Sequence, residues 1–200
     1  MTDDSTNTGR RRFLVGSTSA LGAAGVVGAA VPFVASWNPS ARARAAGAPV
    51  RVDVSRLQEG QILGPIPAWR GRPIFIVRRT DEALQALSTM ADRLTDPNSD
   101  QPEQPEYAQN EYRSRRPEVL VLVGLCPHLF CSPTPHVEIR PEPFDANWNG
   151  GFFCPCHGSR FDLAGRVYSG SPASRNMEVP PYSFESDDVL VIGVDEENAA

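Results

Sequence analysis

Two short segments hold nearly all the side chains of this sequence that could bind a soft metal ion. Residues 126 to 131 read CPHLFC, and residues 154 to 159 read CPCHGS. Together they contain all four cysteines and two of the three histidines of the chain. Each segment offers a thiolate and an imidazole within a few residues, so one short loop can bring sulfur and nitrogen to the same ion. The sequence therefore predicts a metal site built from two loops.

Two other interpretations fit the same residues. A closed structural zinc site uses cysteine and histidine at similar spacings, although it leaves two of the four cysteines unexplained. Alternatively, four cysteines in an exported domain form two structural disulfides, and the paired histidines are then a coincidence. The third histidine, His136, stands alone in a proline-rich turn, and we interpret it as an ordinary surface residue.

The N-terminal part is predicted to anchor the chain. Residues 1 to 12 are polar and end in three arginines, whereas residues 13 to 37 carry no charge. About 25 apolar residues are sufficient to cross a bilayer once as a helix. A cleavable secretory signal is the competing interpretation, because Ala43-Arg44-Ala45 resembles a cleavage site, but its apolar core is usually only about 7 to 15 residues long. Residues 38 to 49 are rich in Ala, Arg, Gly and Pro, and we expect a flexible tether there.

The arginines before the apolar segment predict where the chain works. Arg11 and Arg12, followed by Phe13 and Leu14, resemble a twin-arginine export signal, which addresses proteins that fold before they cross the bacterial membrane. The N-terminus is then cytoplasmic, and the rest of the chain lies on the periplasmic side of the inner membrane. The net charge of -5 gives no electrostatic footprint for nucleic acid, so we expect no nucleic-acid partner.

Residues 50 to 200 form the predicted head, which is mainly β. Alternating valines at 50, 52 and 54 and apolar runs at 74–77, 119–123 and 189–192 are typical of strands. One helix is expected from Asp81 to about Leu94, because acidic residues stand in its first turn and its leucines share one face. The polar residues 95 to 112 are expected to form a loop. At 40% hydrophobic and 22% charged, the chain can hold one such domain plus an appendage.

The second segment and its surroundings resemble one family in particular. Residues 154 to 162 read CPCHGSRFD, and they are followed by GR at 165–166, GSPA at 170–173 and VPPY at 179–182. These motifs, with the anchor, the tether and the helix-loop insertion, are similar to the Rieske iron-sulfur subunit of ubiquinol-cytochrome c reductase over nearly the whole chain. The resemblance implies an antiparallel Rieske-type β-sandwich head, a cluster-binding part at about 124–175 and one transmembrane helix.

The same resemblance implies the site. A 2Fe-2S cluster would have two cysteines on one iron and two histidines on the other, and neutral imidazoles in place of thiolates raise its potential. Residue by residue, Cys126 and Cys154 bind the buried iron, His128 and His157 bind the iron nearest the surface, and Cys131 and Cys156 form a disulfide. Ser159 donates a hydrogen bond to a bridging sulfide, residues 170 to 173 cover the cluster, and Leu129 shields it on the docking side.

The function implied is that of a respiratory bc-type complex. The subunit takes one electron from ubiquinol and passes it to a c-type cytochrome, while His157 accepts a hydrogen bond and a proton from the quinol. Cytochrome b and a c-type cytochrome are the implied partners in a dimeric complex, and membrane lipid surrounds the anchor. An alternative is a Rieske electron-transfer subunit of another periplasmic oxidoreductase, which would not engage quinol or cytochrome b.

Three residues depart from the family pattern. Pro127, Phe130 and Phe161 stand where the family usually has Thr, Gly and Tyr. Loss of the tyrosine hydroxyl at 161 predicts a lower potential than in close relatives. Phe130 places a bulky ring at the docking tip, and its backbone is strained if this position requires a positive φ. Pro127 removes a backbone N–H that could have faced the cluster.

Overall fold

The N-terminal unit of the chain is one long helix followed by a short one. The computed structural model describes residues 7 to 195 and divides the chain into two compact units that meet between Ala45 and Ala46. Helix α1, Thr8–Ala35, has no buried residue. Within the part of the chain that is described, it is the one helix whose length and composition suffice to cross a membrane.

The start of helix α1 and the predicted tether both contain more helix than the sequence predicted, and side-chain capping explains both differences. Helix α1 includes the three arginines, because the Asn7 side chain accepts a hydrogen bond from the Arg10 amide and caps the helix there. In the predicted tether, residues 41 to 46 form helix α2, Ala41–Ala46. The Ser40 hydroxyl accepts from the Ala43 amide, and alanine and arginine are strong helix formers.

The head is built from nine short strands among its described residues, all paired antiparallel. They form three sheets with the orders β1-β9-β8, β2-β3-β4 and β5-β6-β7. The bounds are β1 Val50–Asp53, β2 Ile62–Trp69, β3 Arg72–Arg78, β4 Val119–Val123, β5 Thr134–His136, β6 Gly151–Phe153, β7 Arg160–Asp162, β8 Tyr182–Ser186 and β9 Val189–Ile192. All four predicted strands are present as β1, β3, β4 and β9.

The predicted helix is real but shorter. Helix α3 is Asp81–Ser88, and the Thr80 side chain caps it by accepting from the Ala83 amide. The hydroxyls of Ser88 and Thr89 donate to carbonyls three residues back, at 2.8 Å each, and such bonds compete with helix continuation. The expected second half is therefore a single 3-10 turn, Ala91–Arg93. The expected loop after it contains one further 3-10 turn, Glu106–Ala108.

The main core contains residues of all three sheets, and the part between the second and third sheets positions the two metal-binding segments. Strands β3 and β4 are almost fully buried, and the ring of Phe75 on β3 stacks on Phe152 of β6 with centroids 5.6 Å apart. The first segment follows β4, and the second connects β6 to β7. Gly151 lets β6 and β7 come together, since a Cβ there would lie 1.9 Å from the Phe161 carbonyl oxygen.

Candidate metal centre

The first loop, residues 126 to 131, closes on itself through two backbone hydrogen bonds. The Cys126 amide donates to the Cys131 carbonyl at 2.8 Å, and the Phe130 amide donates to the Cys126 carbonyl at 2.9 Å. Phe130 has a φ of +62°, in the left-handed region. The sequence predicted backbone strain at Phe130 if this position required a positive φ, and the φ is positive. A bulky side chain rarely adopts this conformation. His128 and Leu129 are held at the tip of the loop.

The second loop, residues 154 to 159, repeats this construction. The Cys154 amide donates to the Ser159 carbonyl at 2.8 Å, and the Gly158 amide donates to the Cys154 carbonyl at 2.9 Å. The fifth residue is again left-handed, with a φ of +80° at Gly158. In each loop the same two backbone hydrogen bonds hold the first cysteine, and we call this pair of hydrogen bonds the backbone bracket. The fifth residue of the loop has a positive φ in both cases.

The structure brings the four predicted ligands into two pairs. Cys126 and Cys154 are free thiols, and only 1% and 2% of their residue surface is exposed. The rings of His128 and His157 lie edge to face with centroids 4.8 Å apart; His128 is half-buried and His157 is exposed. The thiols thus point inward and the imidazoles lie toward solvent, as two cysteines on an inner iron and two histidines on an outer iron require. The residues present fit a 2Fe-2S cluster.

The surroundings of the Cys126 thiol change its pKa. Burial raises the pKa of the Cys126 thiol, and the neighbouring Cys154, within hydrogen-bonding reach, raises it further. The His128 amide and the Ser159 hydroxyl act in the opposite direction, because both donate toward the Cys126 sulfur. A buried thiol pair with donors aimed at sulfur is suited to a positively charged group that binds both as thiolates.

The other two cysteines join the loops. Cys131 and Cys156 form a disulfide with an S–S distance of 2.07 Å, and Cys126 and Cys154 remain free, so the interpretation as two structural disulfides is wrong. In the described residues, one group of at least three His, Cys, Asp or Glu has ligand atoms that all lie within 4.8 Å of one another. This group consists of the sulfurs of Cys131, Cys154 and Cys156. A zinc ion needs its ligands gathered at bonds of about 2.0 to 2.3 Å. Two of these three sulfurs are bonded to each other, so the geometry does not support a single-ion zinc site.

A further layer of hydrogen bonds connects the second loop to residues 170 to 173. The fully buried Ser159 hydroxyl accepts from the Ala173 amide at 3.0 Å. The Ser171 hydroxyl accepts from the Arg160 amide at 3.2 Å. The segment predicted to cover the cluster is therefore tied to the loop that carries two of its predicted ligands.

One positioning residue escapes prediction from sequence. The Asp145 carboxylate accepts from Arg93 at 2.5 Å and from Arg160 at 3.1 Å, and its side chain is 7% exposed. It connects the helical insertion to the strand that follows the second loop. A single acidic residue in a turn-rich segment carries no signal that would have revealed this role.

His136 is not the surface residue that the sequence suggested. It ends β5, its ring is half-buried, and it lies edge-on to Phe144 and Phe153 with centroids 5.1 and 6.4 Å away. Its Nδ1 atom is 3.3 Å from a Glu142 carboxylate oxygen, and its carbonyl accepts from the Trp148 indole. The proline-rich turn that suggested exposure is in fact a strand, which pairs with β6.

Comparison with known proteins identifies the class first. A family model described as "Rieske [2Fe-2S] domain" matches residues 104–183, and one described as "Ubiquitinol-cytochrome C reductase Fe-S subunit TAT signal" matches residues 1–40. The head is therefore a Rieske domain of mainly antiparallel β structure, its cofactor is a 2Fe-2S cluster, and the twin-arginine signal is confirmed.

Curated relatives extend the match to the full length. The chain is 50% identical over 199 residues to the ubiquinol-cytochrome c reductase iron-sulfur subunit of Allochromatium vinosum, covering 100% of this chain and 95% of that protein. It is 42% identical to the same subunit of Blastochloris viridis, covering 95% and 96%. A solved chain titled "Hyperthermophilic respiratory Complex III" is 28% identical with a TM-score of 0.46, covering 86% and 96%. The protein belongs to the family of Rieske iron-sulfur subunits of ubiquinol-cytochrome c reductase.

Proposed function

We propose that this chain accepts single electrons from ubiquinol and passes them to a c-type cytochrome within a cytochrome bc complex. One observation carries the proposal: the two loops bury the thiols of Cys126 and Cys154 and leave His157 exposed. Electrons can therefore enter and leave through an imidazole at the surface, while the thiolates stay protected from solvent. The names of the relatives supply the substrate and the assembly.

The ligand roles follow the burial of each side chain. Cys126 and Cys154 would hold one iron of a 2Fe-2S cluster, and His128 and His157 would hold the other. When bound, a 2Fe-2S cluster ligated in this way supplies a one-electron acceptor of raised potential. The protein sets that potential further through the Ser159 hydroxyl and the His128 backbone amide, which both donate toward the Cys126 sulfur.

His157 is the residue that meets the quinol. Its exposed ring nitrogen accepts a hydrogen bond from a quinol hydroxyl and takes the proton as the electron leaves the substrate. Leu129, with 62% of its surface exposed on the neighbouring loop, excludes water from the contact. The proton is released to the periplasm after the electron has moved to the cytochrome.

The N-terminal unit places this chemistry at a membrane. Helix α1 is a single span in the bacterial inner membrane, surrounded by lipid and by the partner's helices, and the twin-arginine signal directs the head to the periplasm. Residues 38 to 49 tether the head so that it can move between quinol and the c-type cytochrome. The working assembly is a dimeric complex with cytochrome b and a c-type cytochrome.

The test is purification of the tagged full-length chain from its native membranes in mild detergent. We expect b-type and c-type haems to copurify with the chain. When ubiquinol is added, we expect the EPR signal of a reduced, histidine-ligated 2Fe-2S cluster, which has a low average g value, to develop. A His157→Ala control should lose both the signal and the quinol oxidation. Copurification with a different oxidoreductase and without b-type haem would contradict the proposal.

A further inference from the structure

A second hydrophobic core, separate from the main one, joins three distant segments of the chain. It consists of Met90, Leu94, Trp148 and Tyr168, none more than 7% exposed, with Phe144 packed against them. The rings of Trp148 and Tyr168 stack with centroids 5.6 Å apart. Two of these residues belong to the helical insertion, two lie between the metal-binding loops, and Tyr168 follows the second loop. The second core therefore fixes the insertion relative to the site.

An ionic bridge lies against this core. The Asp145 carboxylate accepts from Arg93 at 2.5 Å and from Arg160 at 3.1 Å, and we call these three residues the Asp145 bridge. Both guanidinium groups also lie over the Tyr168 ring, with their central carbons 4.9 and 5.4 Å from its centroid. Two positive charges this close together repel each other, and the carboxylate between them offsets that repulsion. The arrangement therefore depends on a charged Asp145.

The two arginines of the bridge also hold the backbone that leads into residues 170 to 173. The Tyr168 amide donates to the Arg160 carbonyl at 3.0 Å, and the Ser169 amide donates to the Arg93 carbonyl at 2.8 Å. The side chains of both arginines are fixed by the bridge, so their carbonyls offer two fixed acceptors. The start of the covering segment is thus positioned by the Asp145 bridge.

The end of the covering segment affects the direction of one hydroxyl. The Ala173 amide donates to the fully buried Ser159 Oγ atom at 3.0 Å. A serine hydroxyl has a single hydrogen, and an oxygen that already accepts can still donate that hydrogen elsewhere. The Cys126 sulfur is within its reach. The position of the Ala173 amide therefore favours the orientation in which Ser159 donates toward Cys126.

We propose that Asp145 is a positioning residue for the reduction potential of the cluster, acting through the Asp145 bridge on residues 168–173 and through them on the Ser159 hydroxyl. The inference rests on the proposed function, because it takes Cys126 as a ligand of the cluster. A donor aimed at a ligand sulfur stabilises the added electron and raises the potential. When Asp145 loses its charge, the two arginines repel each other, residues 168–173 open more often, and the hydroxyl loses its fixed direction.

The experiment is a redox titration of the full-length, cluster-bearing chain with Asp145→Asn, which keeps the size of the side chain and removes its charge. We expect the equilibrium constant for reduction to fall about fivefold, the equivalent of one hydrogen bond of ordinary strength. At 59 mV per tenfold for one electron, the midpoint is then lower by about 40 mV. Hydrogen exchange on the same protein should be at least about fivefold faster in residues 168–173.

A matched control and a conservative variant accompany this change. Asp195→Asn removes a carboxylate of similar burial, 12% exposed against 7%, which pairs with Arg115 and follows strand β9 of the first sheet. It should change neither the midpoint nor the exchange of residues 168–173. Asp145→Glu keeps the charge and should retain most of the wild-type potential. If Asp145→Asn does not fold, Arg93→Gln takes its place, because it removes one arm of the bridge.

A double-mutant cycle separates positioning from general destabilisation. Ser159→Ala removes the hydroxyl itself, so adding Asp145→Asn to it should lower the midpoint no further. The exchange of residues 168–173 should still become faster in this double variant, because the bridge is still broken. A purely structural role would lower the midpoint by the same amount with and without the hydroxyl.

The outcomes distinguish this inference from the proposed function. An unchanged midpoint in Asp145→Asn, or an equal fall with and without the Ser159 hydroxyl, overturns the inference while the chain still carries the cluster and oxidises quinol. A wild-type chain without the EPR signal of a reduced 2Fe-2S cluster refutes the proposed function, and the inference falls with it.

Discussion

Removal of the disulfide between the two loops should destabilise the head by a calculable amount. The change is the double variant Cys131→Ser with Cys156→Ser. The bridge closes a segment with a sequence separation of 25 residues. Chain-entropy theory gives about 3.5 kcal/mol at 25 °C for a loop of this length. Cys156 is exposed and Cys131 is half-buried, so the substitutions remove little packing and the entropic contribution should dominate.

The assay is urea unfolding of the head prepared without the cluster, which keeps iron binding out of the free energy. With a slope of roughly 2 to 3 kcal/mol per molar urea, the unfolding midpoint should fall by about 1 to 2 M. The wild-type head treated with a thiol reductant is the control, and it should unfold at the same midpoint as the double variant. Single variants are unsuitable, because Cys154 lies within 4.8 Å of both bridged sulfurs and can exchange with an unpaired one.

If the double variant lowers the free energy of unfolding by less than about 1 kcal/mol, this reasoning is refuted. Such a result would mean that the backbone brackets and the contacts of residues 170 to 173 hold the loops together without the disulfide. In the assembled protein, the same double variant should lose the cluster faster on exposure to an iron chelator, because the two ligand-bearing loops can then separate.

Three further changes test other parts of the structure. Phe161→Tyr adds a hydroxyl at a fully buried position, and one added hydrogen bond of about 1 kcal/mol should raise the midpoint potential by roughly 40 mV in a redox titration. Gly193→Ala would place a Cβ 2.3 Å from the Trp69 indole nitrogen, and in a thermal melt it should lower the free energy of unfolding by roughly 2 to 4 kcal/mol. Gly71→Ala is the control, because Gly71 has a φ of +70° but no atom within 4 Å of an added Cβ, and it should lower the free energy of unfolding by only about 1 kcal/mol. Burial raises the pKa of Tyr182 from 10.0 to about 12, so the unfolded state loses this proton first and stability falls as pH rises through that range. Tyr182→Phe should remove roughly 2 kcal/mol of that alkaline loss in urea unfolding at pH 9 and pH 12.

The metal-binding segments could be recognised from sequence because the type and spacing of their ligands are local properties. Strand β4 was equally clear, since a run of five apolar residues buried on both faces leaves few alternatives. Strands β5, β6 and β7 have three residues each, too few for an alternating pattern to stand out, and their pairing depends on Gly151 permitting close contact. The length of α3 was decided by two hydroxyl side chains that periodicity does not weigh.

The repeated bracket could not be predicted from sequence, and it explains how this site tolerates unusual residues. Both loops hold their first cysteine through the same pair of backbone hydrogen bonds, in which no side chain takes part. The fifth position has a positive φ in both loops, and in the first loop its side chain, Phe130, is 73% exposed. The side chain at position 130 can therefore vary without changing the two backbone hydrogen bonds that hold Cys126, and the cost of a bulky residue there is confined to one strained backbone position.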